Sequence, residues 1–477
     1  MAGVMLKQRL SGTRKSLTQC VFGLAALALC SAQLAACKKK PPPLPPEPES
    51  REELAEPVES AAPVQPSPGP VPARCRELSP SASFRIGEVA PSRAAQTDAE
   101  DGGPDDDDEV PDPYAVELGP ARADADGFML SALRSLKGQS HALIVLIGPD
   151  ASSGKVVDLG IVHGDPDPPL FAAHGKDLLI ATPDTDAGGG MLKIGLVHEA
   201  RAGAQLTWGP EVSGVRRDST FALEVSGERA VLAYAAESAG KIRVFGALLD
   251  PSNLKQKVSP EPLSAPGADV DSPRLAQRKG GYWLAVARSL DAPKAKLKPH
   301  PSDASTDLGE GDSLLDLGTR RIEVTKLDAQ GKAASSALVV TAPGARPISF
   351  DLAGAPDGGA YVGFRGDDST PGADAGALEL VHVKADGSFE KVQLSGELDG
   401  TGTPSLLADF SDPSKLWLAA AGENGATVFG RLLDHNSTLA PDSFVRGGDL
   451  IAARDGHLLL SRTKGTAADL SVVQCTE

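Results

Sequence analysis

The sequence has few aromatic residues, and its basic residues are outnumbered by acidic ones. Aromatic side chains make up 4% of the 477 residues, and the formal net charge is −17. Nucleic acids and anionic lipid surfaces bind proteins through clustered Lys and Arg, which an acidic chain does not favour. We therefore expect no nucleic acid among its partners.

Common catalytic and metal-binding patterns are also missing from the sequence. None of the 8 His forms a His-x-x-x-His pair, and there is no Cys-x-x-Cys pair. There is also no Gly-x-Ser-x-Gly elbow, no phosphate-binding loop and no dinucleotide-binding glycine pattern. We therefore expect no zinc site and assign no catalytic residue.

Residues 1–36 have the features of a secretory signal. Basic residues precede the apolar run 21–29, which is too short to span a bilayer comfortably. The sequence LAAC at 34–37 resembles the lipobox of bacterial lipoproteins. This resemblance implies that Cys37 becomes the first mature residue and carries acyl chains such as palmitate on its thiol and its new amino group. The alternative is an uncleaved membrane-anchor helix in which Cys37 has no role.

The residues after Cys37 predict a location and a tether. Lys38 stands where Asp would resemble an inner-membrane retention signal, so we expect an outer-membrane lipoprotein that faces the periplasm or the cell surface. Residues 37–74 are rich in Pro and Glu and poor in large apolar residues. Such a composition predicts a disordered tether.

Residues 75–477 contain a repeat of about 50 residues. Its clearest element is an apolar run, found as FMLSALR at 128, LLIATPD at 178, VLAYAAE at 231, YWLAVAR at 282, YVGFRGD at 361, LWLAAAG at 416 and LLLSRTK at 458. The spacing is regular once residues 291–318, rich in Lys, Pro, Ser and Asp, are treated as an inserted loop. Short β-branched or alternating runs bounded by Gly, Asp, Asn and Pro recur in each unit.

Four strands per unit at this period predict an all-β fold, a seven-bladed β-propeller of about 50 residues per blade. Two alternatives stay open. Ala and Leu are abundant enough for stacked helical repeats, and two packed β-sandwiches would also use short strands.

Two cysteines lie in the signal and Cys37 in the lipobox, which leaves Cys75 and Cys475 in an oxidising compartment. The last unit has only three strand-like runs, whereas the segment 75–90 precedes the first complete unit. A strand starting at Cys75 would lie antiparallel to one ending at Cys475. We therefore predict that the N- and C-terminal strands close the ring and that these two cysteines form a disulfide.

Three polar segments are candidate sites. The acidic stretch 97–112 could bind cations or a basic partner, but self-repelling carboxylates more often form a solvated loop. Asp184 and Asp186 have the spacing of a calcium loop, although the turn chemistry of Asp and Gly explains them as well. His163, Asp165 and Asp167 form a polar cluster between the first two units.

Apart from the lipobox, the chain resembles uncharacterised propeller lipoproteins of Gram-negative bacteria, a resemblance that implies no active residue. Three functions are compatible with it. The first is an envelope-located binding or scaffold protein without a catalytic site and without a cofactor, with a protein or glycan partner. The second is a glycan- or lactone-acting enzyme with carboxylates in the central channel. The third is a subunit of an outer-membrane assembly complex.

Overall fold

The structure is a computed structural model that describes much of the chain after residue 73. The described residues are 74–78, 83–87, 116–136, 139–163, 167–184, 190–215, 220–254, 256–267, 269–290, 319–342, 347–366, 378–392, 394, 404–421, 427–432, 449–464 and 467–476. The signal, Cys37, the predicted tether up to residue 73, the acidic stretch 97–112 and the inserted loop 291–318 lie outside these residues, whereas Arg74, the last tether residue, already belongs to a strand.

Every regular element in these ranges is a β-strand, and every strand pair is antiparallel. The strands form where the sequence has short apolar or alternating runs between turn residues. The described ranges contain no helix long and apolar enough to cross a membrane. Stacked helical repeats are therefore wrong for this part of the chain.

Three sheets have four consecutive strands in simple up-and-down order. The first contains β3 (Val116–Asp124), β4 (Gly127–Leu136), β5 (Gln139–Ile147) and β6 (Gly154–Val162). The second contains β15 (Val270–Arg278), β16 (Gly281–Leu290), β17 (Thr319–Asp328) and β18 (Leu338–Val339). The third contains β19 (Pro347–Gly354), β20 (Ala360–Gly366), β21 (Leu378–Val383) and β22 (Phe389–Val392).

A fourth sheet joins the two ends of the described chain. It contains β26 (Asp449–Arg454), β27 (His457–Lys464) and β28 (Ala467–Thr476), and the N-terminal strands β1 (Arg74–Glu77) and β2 (Ser83–Ile86) both pair with β28. Cys75 lies directly opposite Cys475, and the two form the predicted disulfide. The closing segment is thus two short strands on one edge of β28 rather than one continuous strand. Together these four sheets have the form of propeller blades.

Two further sheets complete the described structure. An eight-stranded sheet contains β7 (Leu170–His174), β8 (Asp177–Asp184), β9 (Gly190–His198), β10 (Gln205–Val215), β11 (Phe221–Ser226), β12 (Arg229–Ser238), β13 (Lys241–Leu249) and β14 (Gln256–Pro262). Its two halves are connected by one residue pair between β10 and β12, Val215 with Ala236. A three-stranded sheet contains β23 (Ser405–Ala408), β24 (Leu416–Ala421) and β25 (Thr427–Leu432).

The hydrophobic core lies between neighbouring sheets. Trp283 on β16 packs with Phe350 and Phe364 of the following sheet, and it is 2% exposed. Trp417 occupies the equivalent position on β24 and packs with Leu450 and Leu458. Both indoles are therefore core residues, and burying such large apolar side chains is a main source of stability.

Seven strands, which we call the innermost strands, begin the successive repeats of the chain: β3, β7, β11, β15, β19, β23 and β26. Each contacts the next in this order, and β26 contacts β3. Most of the innermost strands form a short hairpin with the strand that follows. Between β15 and β16, Lys279 and Gly280 form the two-residue turn, and Gly280 has φ 79°. This left-handed conformation suits glycine. The innermost strands thus bring side chains from distant repeats together.

Candidate functional site

The innermost strands carry a charged pair that joins two different sheets. Arg122 on β3 and Glu224 on β11 flank β7, which contacts both strands. Arg122 donates to both carboxylate oxygens of Glu224, with Nη1 3.3 Å from Oε2. Glu224 raises the pKa of Arg122 above its usual value. The two charges therefore neutralise each other between β3 and β11.

Asp351 on β19 is a partly buried carboxyl on one of the innermost strands. Its Oδ1 accepts a hydrogen bond from the backbone N–H of Leu352, and its Oδ2 accepts one from Leu406 on β23, both at 2.8 Å. Burial raises the pKa of Asp351, while the two N–H groups and Arg274 oppose the shift. A raised carboxyl pKa is a feature of general acids. Here, however, both oxygens already accept backbone hydrogen bonds, and the bond to Oδ2 connects β19 with β23.

Arg274 lies on β15, next to this carboxyl. Its guanidinium carbon is 5.7 Å from the centroid of the Phe350 ring, within the range of a cation–π contact. The contact joins β15 to β19, the next innermost strand. Arg274 thus has an aromatic face and a carboxylate as neighbours within the fold.

Tyr282 on β16 is a buried phenol that is influenced by the charge of Glu224. Burial raises the pKa of Tyr282 to about 12, and Glu224 adds to the shift. The Tyr282 hydroxyl donates a hydrogen bond to the carbonyl of Arg229 at 3.1 Å. At neutral pH the phenol is therefore protonated and engaged, which does not suit a general base.

The structure brings together two of the sequence candidates. His163 follows β6, and its Nδ1 lies 3.2 Å from Oδ1 of Asp184 at the end of β8. Lys193 on β9 donates to the other oxygen of Asp184. Burial favours the neutral acid, but Lys193 and His163 outweigh it, so the pKa of Asp184 is below its usual value. The result is an ionised, nearly buried carboxylate between two basic side chains.

The remaining residues of these two sequence candidates are Asp165, Asp167 and Asp186. Asp165 and Asp186 lie outside the described residues, and Asp167 is exposed. Within the described ranges, no group of three or more His, Cys, Asp or Glu could hold a metal ion. Calcium binding by Asp184 and Asp186 stays a prediction, as does the polar cluster of His163, Asp165 and Asp167.

Several other aspartates have the turn role that the sequence suggested. Asp150, Asp250, Asp386 and Asp412 each accept hydrogen bonds from the backbone N–H and the hydroxyl of the Ser two residues later. Such local bonds stabilise tight turns. These carboxylates therefore act as local turn-forming groups.

Sequence reasoning missed a second buried charged group. Arg288 near the end of β16 and Glu323 on β17 lie 2.7 Å apart, Nε to Oε1, with side chains 6% and 5% exposed. Arg321 donates to the same Glu323 oxygen through Nε at 2.9 Å and Nη2 at 2.6 Å. Arg288 also donates to the carbonyl of Ala265 from the preceding sheet.

The missed group has a counterpart in the earlier repeat. Arg288 is the seventh residue of YWLAVAR, and Asp184 is the seventh of LLIATPD. Glu323 pairs with Val286 and Lys193 with Thr182, each two residues before the seventh position. The two repeats therefore carry a charge pair of opposite polarity at equivalent positions. A charged residue ending an otherwise apolar run was the signal in the sequence.

His382 on β21 is the buried histidine of the described structure. Its ring stacks on Tyr361 with centroids 4.6 Å apart, and its Nε2 is 3.2 Å from Oδ2 of Asp357. Asp357 itself accepts the backbone N–H of Gly359 in the turn between β19 and β20. The imidazole therefore connects a turn to the neighbouring strand.

No protein-family profile and no curated protein sequence matches the chain. Solved structures do resemble it. The hydrazine synthase of Kuenenia stuttgartiensis is 14% identical, with a TM-score of 0.45, covering 76% of this chain and 98% of its own. The family 93 α-L-arabinofuranosidase of Fusarium graminearum with arabinobiose is 13% identical, with a TM-score of 0.42 and coverages of 75% and 93%. A family 25 ulvan lyase is 9% identical, with a TM-score of 0.48 and coverages of 77% and 97%.

Proposed function

We propose that this chain is a binding or scaffold protein of the bacterial cell envelope, held to the outer membrane by lipid on Cys37. One observation carries the choice of binding over catalysis. The innermost strands use Arg122 and Glu224 for each other, and Asp351 for two backbone N–H groups. Charges that are satisfied in this way hold strands in place and are poorly placed to act on a substrate.

The proposal includes a closed ring of seven blades. The cyclic contacts among the innermost strands support it, as does the single residue pair that connects the halves of the eight-stranded sheet. On this interpretation that sheet is two blades, and the three-stranded sheet is a further blade. A rigid ring presents broad surfaces and loops on both faces, which suit a protein or glycan partner.

The disulfide supports export of the protein. Structural disulfides persist in oxidising compartments, and the pairing of Cys75 with Cys475 leaves Cys37 as the cysteine for acylation beyond the two in the signal. An acyl anchor would hold the domain through the tether 37–74. We propose on this basis that the domain lies in the periplasm or at the cell surface.

The binding role is tested by asking whether the protein retains a ligand without converting it to product. The full chain, purified in a non-ionic detergent, is incubated with a panel of uronate glycans, neutral glycans and lactones. We expect retention of a glycan in affinity electrophoresis, or cross-linking to an envelope protein in cells, without release of product. Turnover would contradict the proposal if it were lost in Asp351→Asn and kept in Asp386→Asn, which changes an exposed turn carboxylate.

Such turnover would favour the alternative of a glycan- or lactone-acting enzyme. The raised pKa of Asp351 is the observation that favours it, because a partly buried carboxyl near Arg274 could serve as an acid once its backbone bonds rearranged.

A further inference from the structure

The charged group on β16 and β17 holds more positive than negative charge. Arg288 and Arg321 share one carboxylate, that of Glu323, and all the contacts go to its Oε1. Arg288 is 5% exposed and Glu323 is 4% exposed. Burying an uncompensated charge costs several kcal/mol. This group therefore has one cation in excess, and of its three members Arg288 and Glu323 are buried whereas Arg321 is partly exposed.

Arg288 is also short of hydrogen-bond acceptors. Its Nε is buried and donates to no acceptor among the described residues, although Oε1 of Glu323 is close. Both Nη atoms donate to one carbonyl, that of Ala265, at 3.4 Å, the long end of the hydrogen-bond range. Arg321, by contrast, has a 35% exposed side chain. The group thus contains one buried guanidinium with few acceptors, that of Arg288, and one accessible guanidinium, that of Arg321.

Within the described residues, neighbouring charges do not remove the excess. Lys241 lies 3.8 Å from Asp269, whose other oxygen accepts the N–H of Ile242, so these two charges balance. Arg243 donates to the carbonyl of Ser264, next to Ala265, and adds a further cation. Arg320 adjoins Arg321 but is paired with Asp271. Because successive side chains of a strand point to opposite faces, this second pair lies on the other face of the sheet.

We infer that Arg288 and Arg321 form a binding site for a single oxyanion group, a carboxylate, sulfate or phosphate of a small ligand or of the end of a chain. Guanidinium groups bind planar and tetrahedral oxyanions through paired N–H donors. A single group fits better than an extended polyanion, because the chain as a whole carries −17 and repels polyanions. This site deepens the binding role proposed above and rests on it.

Isothermal titration of the full chain in non-ionic detergent, at fixed ionic strength, tests the site. The probes are sodium sulfate, sodium phosphate and sodium galacturonate, with glucose as the uncharged reference. We expect saturable binding of at least one oxyanion and none of glucose. The ranking of the three probes shows whether the natural group is a sulfate, a phosphate or a sugar carboxylate.

Two variants decide whether the arginines are responsible. In Arg321→Gln the dissociation constant should rise at least about tenfold, which corresponds to about 1.4 kcal/mol. Arg320→Gln is the matched control, since it removes the adjacent guanidinium on the other face and should leave binding unchanged. Circular dichroism and the midpoint of thermal unfolding, measured without anion, show whether each variant is folded.

The inference is overturned if no oxyanion binds, or if Arg321→Gln and Arg320→Gln weaken binding equally. It is also overturned if Arg321→Gln lowers the unfolding temperature while sulfate raises that temperature as much as in the unmodified protein. Failure here leaves the scaffold role open, because that role is tested by retention of large partners. Turnover in the glycan and lactone panel would reject the scaffold role without affecting this titration.

Discussion

Asp184 shows how one side chain can hold a junction between repeats. Its side chain is 2% exposed and it receives hydrogen bonds from Lys193 and from His163, which follows the preceding sheet. In Asp184→Asn one carboxylate oxygen is replaced by an NH2 group. This group cannot accept the hydrogen bond that Lys193 or His163 donates to that position. We expect a loss of about 1–3 kcal/mol in unfolding free energy, measured by urea denaturation.

Glu390→Gln is the control for this variant, since it removes an exposed carboxylate paired with Lys384. Exposed pairs are screened by solvent, so its effect should be much smaller. Equal urea midpoints for Asp184→Asn and the unmodified protein would show that the carboxylate does not stabilise the folded state.

The lowered pKa of Asp184 predicts that the stability of the fold depends on pH. Because the pKa of Asp184 in the folded state lies below 3.8, the folded state favours the ionised form. Its contribution is therefore complete above the unfolded-state pKa, and it is lost as the pH falls through the folded-state pKa. The difference in urea midpoint between the unmodified protein and Asp184→Asn should shrink below about pH 4. A difference that stays constant in acid would contradict this assignment.

At the scale of elements, the Arg122–Glu224 pair connects β3 with β11. The Arg122 side chain is 39% exposed and that of Glu224 13%, so solvent weakens the interaction only in part. A double-mutant cycle with Arg122→Gln and Glu224→Gln should give a coupling energy of about 0.5–2 kcal/mol. Chemical denaturation of the four proteins measures it. Strictly additive effects would mean that the two strands are held by apolar contacts alone.

The strands at the chain ends give a further prediction. The disulfide joins residues 400 positions apart, so it restricts the unfolded chain strongly. The double variant Cys75→Ser with Cys475→Ser should lose about 2–5 kcal/mol of unfolding free energy. Calorimetry of oxidised, reduced and double-variant protein would measure this loss. If all three unfold at the same temperature, β1 and β2 close the sheet without help from the disulfide.

The elements also show how far the sequence could predict the structure. The run at 128 lies in β4, that at 178 in β8 and that at 458 in β27, because apolar runs between turn residues are local signals. The run at 231 lies in β12, and its Leu232 and Tyr234 pack toward the preceding repeat. The division of the closing segment into β1 and β2 was not predicted.

The candidate site was less predictable for a physical reason. His163 was grouped with its sequence neighbours Asp165 and Asp167, whereas its partner in the fold is Asp184, on the next repeat. Likewise Arg288 and Glu323 are adjacent only because β16 and β17 pair across the inserted loop. Register between strands decides such contacts, and a single sequence gives register weakly.

At the scale of the whole molecule, the two ends of the proposed ring are joined at the place where the proposed tether ends. Cys75 lies in the first described strand, directly after the predicted tether 37–74. A pull on the lipid anchor would therefore act on β1, which is held to β28 by its ladder hydrogen bonds and by the disulfide. This arrangement would let a tethered domain bear load without opening its ring.

Intact mass spectrometry of the protein isolated from membranes tests this account most directly, with thiols labelled before and after reduction. We expect a chain that begins at Cys37, carries the mass of its acyl chains, and gains labels on Cys75 and Cys475 only after reduction. A full-length precursor without lipid, or two thiols labelled before reduction, would contradict it.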